Sequence, residues 1–202
     1  KDLIHAGAHL TEAQRDRLKE LNEELSKLET QFGKNVLADT NDLAVLVDSI
    51  EELDGLSENE IAAAAAAAND RGHDGKWLIG MVNFTGNPVL DSLTNRELRK
   101  KIMEASKQKA NRANENDNKP VLLQIVKLRA ERAQLFGKQT HSEHVIAVQT
   151  AEHPDNVHAM LRKIAPAAVR NAKAEAEDLK KSAGSDIESW DWGFYTEQVR
   201  LE

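Results

Sequence analysis

Residues 93–99 read Leu-Thr-Asn-Arg-Glu-Leu-Arg, residues 128–137 read Leu-Arg-Ala-Glu-Arg-Ala-Gln-Leu-Phe-Gly, and residues 190–195 read Trp-Asp-Trp-Gly-Phe-Tyr. The first segment carries a helix start. Thr94 and Glu97 have the spacing of a capping box, in which each side chain satisfies an amide of the other residue, and Leu93 and Leu98 sit where a hydrophobic staple clamps the entry. The spacing predicts a helix over 96–113, broken by the polar run 114–119. Pro120 then suits the first turn of a helix over 121–136, because its missing N–H is unpaired there in any case. Gly137 is placed to end that helix in a left-handed conformation. Ser189 is read as the cap of a last helix carrying Trp192, Tyr195 and Val199.

The same grammar runs through the rest of the chain. Leu18, Leu21, Leu25, Leu28, Phe32 and Val36 recur every three or four residues, which lays them on one stripe of a long helix. Thr11 with Gln14 opens that helix and the polar run 39–42 ends it. Too few heptads are sustained for a coiled-coil seam, so the stripe is read as packing inside a bundle. Segment 43–48 (Leu-Ala-Val-Leu-Val-Asp) and segment 77–84 (Trp-Leu-Ile-Gly-Met-Val-Asn-Phe) read as extended and are expected to pair as a small ribbon. Between them Ser57 and Glu60 form a second capping box, stapled by Leu56 and Ile61, ahead of seven alanines at 62–68. Alanine is the strongest helix former, so this run is read as a close-packed helix. Thr140 with Glu143 opens a short helix. Pro154 starts a long one reaching Ser182, which Gly184 ends.

Composition agrees with mainly α architecture. The 202 residues hold only 4 Pro and 10 Gly, and the aromatic content is 4%. The core must therefore come from Leu, Ile, Val and Ala. A formal net charge of −7 argues against a phosphate-backbone binder, so nucleic acid is not an expected partner. No cysteine is present, which excludes disulfides, thiolate metal sites and a Cys nucleophile. No apolar run approaches the roughly 20 residues that span a bilayer, and the first five residues do not read as a signal peptide, so a cytoplasmic protein without a membrane partner is expected. The absence of an initial Met and the final Leu201-Glu202 read as ends cut from a longer chain.

Catalytic chemistry is sought first among the seven histidines. His141 and His144 are three apart and His153 and His158 five apart. Neither pair has the i, i+4 spacing of a His-Glu-x-x-His zinc helix. No Gly-x-Ser-x-Gly elbow and no phosphate-cradling glycine loop occurs. Glu12, Glu20, Glu23, Glu24 and Glu29 lie near lysines and read as a solvated helix face. Asp191, between Trp190 and Trp192, admits two readings: an orienting group near a site, or a helix-start acid among packed tryptophans. The sequence therefore assigns no catalytic residue, no metal ligand and no substrate-binding residue.

The order and spacing of these motifs resemble the zinc oligopeptidases of the thimet oligopeptidase and neurolysin family, and within it the bacterial peptidyl-dipeptidase (dipeptidyl carboxypeptidase) branch. The resemblance takes in Gly-Ala-His-Leu at 7–10, Gln31-Phe32, Asn35-Val-Leu37, Leu-Asp-Gly-Leu-Ser at 53–57, Gly-Lys-Trp-Leu-Ile at 75–79 and the run 93–199. The chain departs from the family pattern near Ser106 and Lys109 and in the Gly184 turn. The resemblance implies a multi-helix bundle lobe of a neurolysin-like fold, divided into an N-terminal helical subdomain with a small ribbon (1–92) and a helical segment leading toward a catalytic region (93–202). It implies a parent that hydrolyses short peptides with zinc, the metal being held by a downstream His-Glu-x-x-His helix that this chain does not contain. This piece would then be an inactive channel-wall lobe that binds no zinc and whose partner is the remainder of its own polypeptide. A self-contained helical interaction module is the alternative. The discriminating feature is whether apolar faces are covered.

Overall fold

A computed structural model describes residue 4 and residues 6–82 and 88–201. The elements are α1 (Glu12–Asp42), β1 (Val45–Val47), a 3-10 turn (Ile50–Leu53), α2 (Glu58–Asn69), β2 (Trp77–Ile79), α3 (Val89–Ser92), α4 (Arg96–Lys107), α5 (Lys119–Leu135), α6 (His141–Ile146), α7 (Pro154–Ala183) and α8 (Trp192–Leu201). The protein is mainly helical. The expected ribbon is present, with β1 and β2 antiparallel in the register Val45↔Ile79, Leu46↔Leu78 and Val47↔Trp77. The far end of the extended reading, Asn83 and Phe84, lies outside the described residues, as do residues 1–3, His5, Gly86, Asn87 and Glu202.

The chain divides into two compact units, Lys1–Asn35 with Asp117–Arg170, and Val36–Asn116 with Asn171–Glu202. In the first, α1 and α5 are cross-linked by side chains. Arg17 meets Glu131, Arg132 donates to Asn22, Arg129 donates to Glu29, and Asn118 donates to the carbonyl of Phe32 and accepts from Asn35. From Arg17 with Glu131 at one end to Phe32 with Asn118 at the other, the α5 number falls across the contact, so the two helices run antiparallel. Leu21 and Leu25 from the stripe of α1 are buried here, as are Ile125 and Ala133 of α5. Thr11 and Gln14 form the reciprocal cap at the start of α1.

The core of the second unit gathers Val45, Val47, Leu53, Ile79, Met81, Leu90, Leu93, Leu98 and Ile102. Val45 and Val47 point into it from alternate positions of β1, as the two-residue period of a strand requires. In the alanine run, Ala64 and Ala68 are buried, one helical turn apart, and α2 packs on β2 through this face. The Ser57–Glu60 capping box forms in both directions. Gly55 is a position where only glycine fits. Its φ is +93°, and an added Cβ would stand 2.0 Å from the carbonyl oxygen of Ser92.

Three sequence expectations need correction. Asn95, not Thr94, caps α4, its side chain accepting from the Leu98 amide. Thr94 is diverted because its hydroxyl donates to Asp54 Oδ2 at 2.8 Å and its amide to the Asp54 carbonyl at 2.9 Å. Helix α4 ends at Lys107 instead of Ala113, because Ala110 and Ala113 turn left-handed, with φ of 52° and 55°. Ser189 lies upstream of the α8 start, accepting from Lys107 Nζ at 2.8 Å, and the Tyr195 amide pairs with the carbonyl of Asp191. The other helix starts and stops hold: Pro120 lies in the first turn of α5, Gly137 and Gly184 have positive φ after α5 and α7, and Thr140 caps α6.

Candidate functional site

Arg96 and Arg99 are three residues apart on α4 and therefore share a face. Both reach Asp191, immediately before α8. Arg96 donates from Nε and Nη2 to the carboxylate, the shortest distance being 2.7 Å, and Arg99 Nη2 donates to Oδ1 at 2.8 Å. The Glu188 amide adds a further hydrogen bond to Oδ2. Arg99 spends its other donors on the carbonyls of Leu93, Thr94 and Trp190, and its guanidinium lies 4.4 Å from the centre of the Phe194 ring. One buried cation thus ties the α4 entry to the segment that leads into α8.

Burial alone would raise the Asp191 carboxyl, but the hydrogen bonds from Arg96 and Arg99 overcome it and hold the group at about 2. Near neutral pH this carboxylate is ionised, with its lone pairs engaged by donors. It is not available as a general base. It stands immediately before α8, and its side chain accepts from the upstream Glu188 amide.

A second carboxylate, which the sequence reading took for a stop signal, has a similar role. Asp39 is fully buried in the last turns of α1 and accepts from Arg112 and from the Ala110 amide at 2.7 Å. The hydrogen bond from Arg112 outweighs burial and lowers its pKa to about 2. The left-handed Ala110 presents its amide to this acid, which accounts for the early end of α4. Arg96, Arg99, Arg112 and Asp39 were all missed in the sequence. The one legible signal was the i, i+3 spacing of Arg96 and Arg99 on α4.

Among the described residues the histidines are not grouped with the spacing of a metal site. His144 is buried and stacks on Phe136 at 4.4 Å, while His141 has its pKa lowered by burial and then by the charges of Arg129 and Arg132. Two guanidinium groups beside an imidazole repel a dication, so this pair does not fit zinc. His153 Nδ1 accepts from the Asp155 amide ahead of α7, and His158 is exposed on α7. Among the described residues, no three His, Asp or Glu side chains are grouped to hold a metal ion. Glu12, Glu20, Glu23, Glu24 and Glu29 are exposed on α1.

Two clefts remain. In the second unit a cleft of about 250 Å³ lies between the alanine face of α2 and β2, lined by Leu56, Ala63, Ala67, Leu78 and Val89. In the first unit one of about 350 Å³ is bordered by His9, Phe136, Lys138 and His144. Neither brings together a nucleophile and a base. No helix among the described residues is long and apolar enough to cross a membrane.

Comparison with known proteins gives these scaffold features a family. Residues 89–202 match the model of Peptidase family M3, more than half of the chain, and the chain belongs to that family. It is 37% identical to a dipeptidyl carboxypeptidase of Escherichia coli (strain K12), over 98% of this chain and 30% of the relative. It is 34% identical to the dipeptidyl carboxypeptidase of Salmonella typhimurium, over 100% of this chain and 31% of the relative. An oligopeptidase A of Haemophilus influenzae is 32% identical over 99% of this chain and 30% of its own length. The higher identities set the chain on the dipeptidyl carboxypeptidase branch. The chain spans about 30% of the length of these relatives.

Proposed function

We propose that this chain is a scaffold lobe of a zinc-dependent peptidyl-dipeptidase that acts on short peptides in the cytoplasm. The observation that carries the reading is the extent of the similarity: it runs through nearly all of this chain, yet takes in about 30% of each peptidase it matches. Residues 1–92 form an N-terminal helical subdomain and residues 93–202 lead toward the catalytic region. Zinc, held by the rest of the enzyme, supplies the activation of water. The residues present here supply shape. Asp191 with Arg96 and Arg99, and Asp39 with Arg112, fix helix ends with buried ion pairs, and the helices they fix form one wall of a channel that admits short peptides and excludes folded proteins. The partners are the peptide substrate and the remainder of the polypeptide, with no nucleic acid and no membrane.

The chain alone binds no zinc and is inactive on this reading. Incubation with zinc and a peptide bearing a free C-terminus is expected to release no dipeptide. Zinc-dependent release by the 202-residue chain would overturn the scaffold assignment. A longer gene product without a His-Glu-x-x-His helix would overturn the peptidase assignment itself.

A further inference from the structure

The N-terminal half of α7 stands bare. Every residue from 158 to 170 is exposed, including Met160 (53%), Leu161 (51%), Ile164 (52%) and Val169 (52%). At about 100° per residue, Val157, Met160, Leu161, Ile164 and Ala168 fall on one stripe, while Arg162, Lys163 and Arg170 fall on the opposite side. No acid occurs between Asn156 and Arg170, in a chain whose net charge is −7. This is a basic amphipathic segment whose apolar face no described residue buries.

Three occupants are conceivable, and the segment discriminates among them. A lipid surface calls for Trp, Phe and Leu as interfacial anchors. This segment has no aromatic residue and carries Ala159, Ala165, Ala167 and Ala168 instead, which suit close helix-on-helix approach. A second copy would offer only the same short stripe, Val157, Met160, Leu161, Ile164 and Ala168, against the roughly 20–30 residues a side typical of a stable interface. A helix in the same polypeptide faces no such requirement, because tethering replaces a bimolecular concentration with an effective one in the millimolar range. The relatives are also more than three times as long as this chain.

We infer that the Val157–Ala168 stripe of α7 docks an apolar helix face supplied by the remainder of the peptidase polypeptide. The inference rests on the reading of the chain as one lobe of a longer enzyme. It adds where that enzyme closes on this lobe.

The test compares thiol accessibility in two proteins, the 202-residue chain and the longer gene product. Ile164→Cys probes the stripe and Arg162→Cys the opposite side, with maleimide labelling resolved by peptide mass spectrometry. In the short chain both sites should react at rates within about threefold. In the longer product Ile164→Cys should slow at least tenfold while Arg162→Cys keeps its rate. Hydrogen exchange of residues 157–168 in the unsubstituted proteins, with at least tenfold more protection in the longer one, guards against a folding defect of either variant. Equal labelling and equal exchange in the two proteins would overturn the docking. So would a short chain that sediments as a dimer with position 164 protected, or that protects it on phosphatidylserine vesicles. Peptide hydrolysis measured on the same longer product separates the two levels. An active enzyme with position 164 still open removes only the docking, whereas an inactive one with it protected removes only the peptidase reading.

Discussion

Arg99 Nη2 donates to Asp191 Oδ1 at 2.8 Å, and the two side chains are 2% and 1% exposed. Neither charge has water to fall back on. Removing one partner of such a pair leaves the other buried without compensation, which costs about 3–5 kcal/mol. Asp191→Ala is therefore expected to lower the unfolding free energy by that amount in urea titration. Arg96→Ala should cost no more than about 1 kcal/mol, because the Arg96 side chain is half exposed and water replaces its contribution. Equal losses in the two variants would show that Arg99 is not the partner that matters.

The same carboxylate sets an acid limit. Asp191 and Asp39 both have folded-state pKa values lowered from 3.8 to about 2, so the unfolded chain binds their protons at higher pH than the folded one. Their stabilisation is complete above roughly pH 5 and is lost as the pH falls through 4 toward 2, about 2 kcal/mol of it from Asp191. Chemical denaturation at a series of pH values should show this decline. In Asp191→Asn it should be shallower, because one of the two protonation events is gone.

The fold was legible wherever local chemistry decides it. Capping residues at Thr11, Ser57 and Thr140 and the glycines at 137 and 184 act on their own neighbours and behave as the sequence suggests, and the extended segments pair over 45–47 and 77–79. It was not legible where a distant group competes. Thr94 has the right spacing to cap α4 but finds Asp54, forty residues away, and the cap passes to Asn95. Asp39 looks like a helix stop until Arg112 arrives from seventy-three residues along the chain. The candidate site is made of such long-range pairs, so sequence spacing showed Asp191 as an interesting acid without showing its arginines.

The displaced cap gives a direct comparison. Asn95→Ala should destabilise the protein by about 1 kcal/mol, the usual cost of losing an N-cap side chain. Glu97→Gln should change stability by less than about 0.5 kcal/mol, since Thr94 is engaged with Asp54 and no capping box is there to lose. A larger loss for Glu97→Gln than for Asn95→Ala would restore the box that the sequence spacing suggests. Thermal unfolding followed by circular dichroism at 222 nm measures both.

Gly55 leaves no room for a side chain. It joins two problems that usually occur separately: a φ of +93°, which L-residues rarely adopt, and a carbonyl oxygen 2.0 Å from where a Cβ would stand. The first costs about 1–2 kcal/mol. The second cannot be relieved by rotating a side chain, because the obstructing atom belongs to the backbone of Ser92. That residue leads into Leu93, a fully buried member of the core, and Leu93 is followed by Thr94, whose amide is already bonded to Asp54. Gly55→Ala should therefore cost about 3 kcal/mol or more, well above the ~1 kcal/mol typical of a point substitution. Gly72→Ala is the internal control. It shares a positive φ of 76° but meets no atom within 4 Å, so it should lose only the conformational part. Urea titration of the pair separates steric cost from φ cost, and equal losses would mean that Ser92 yields.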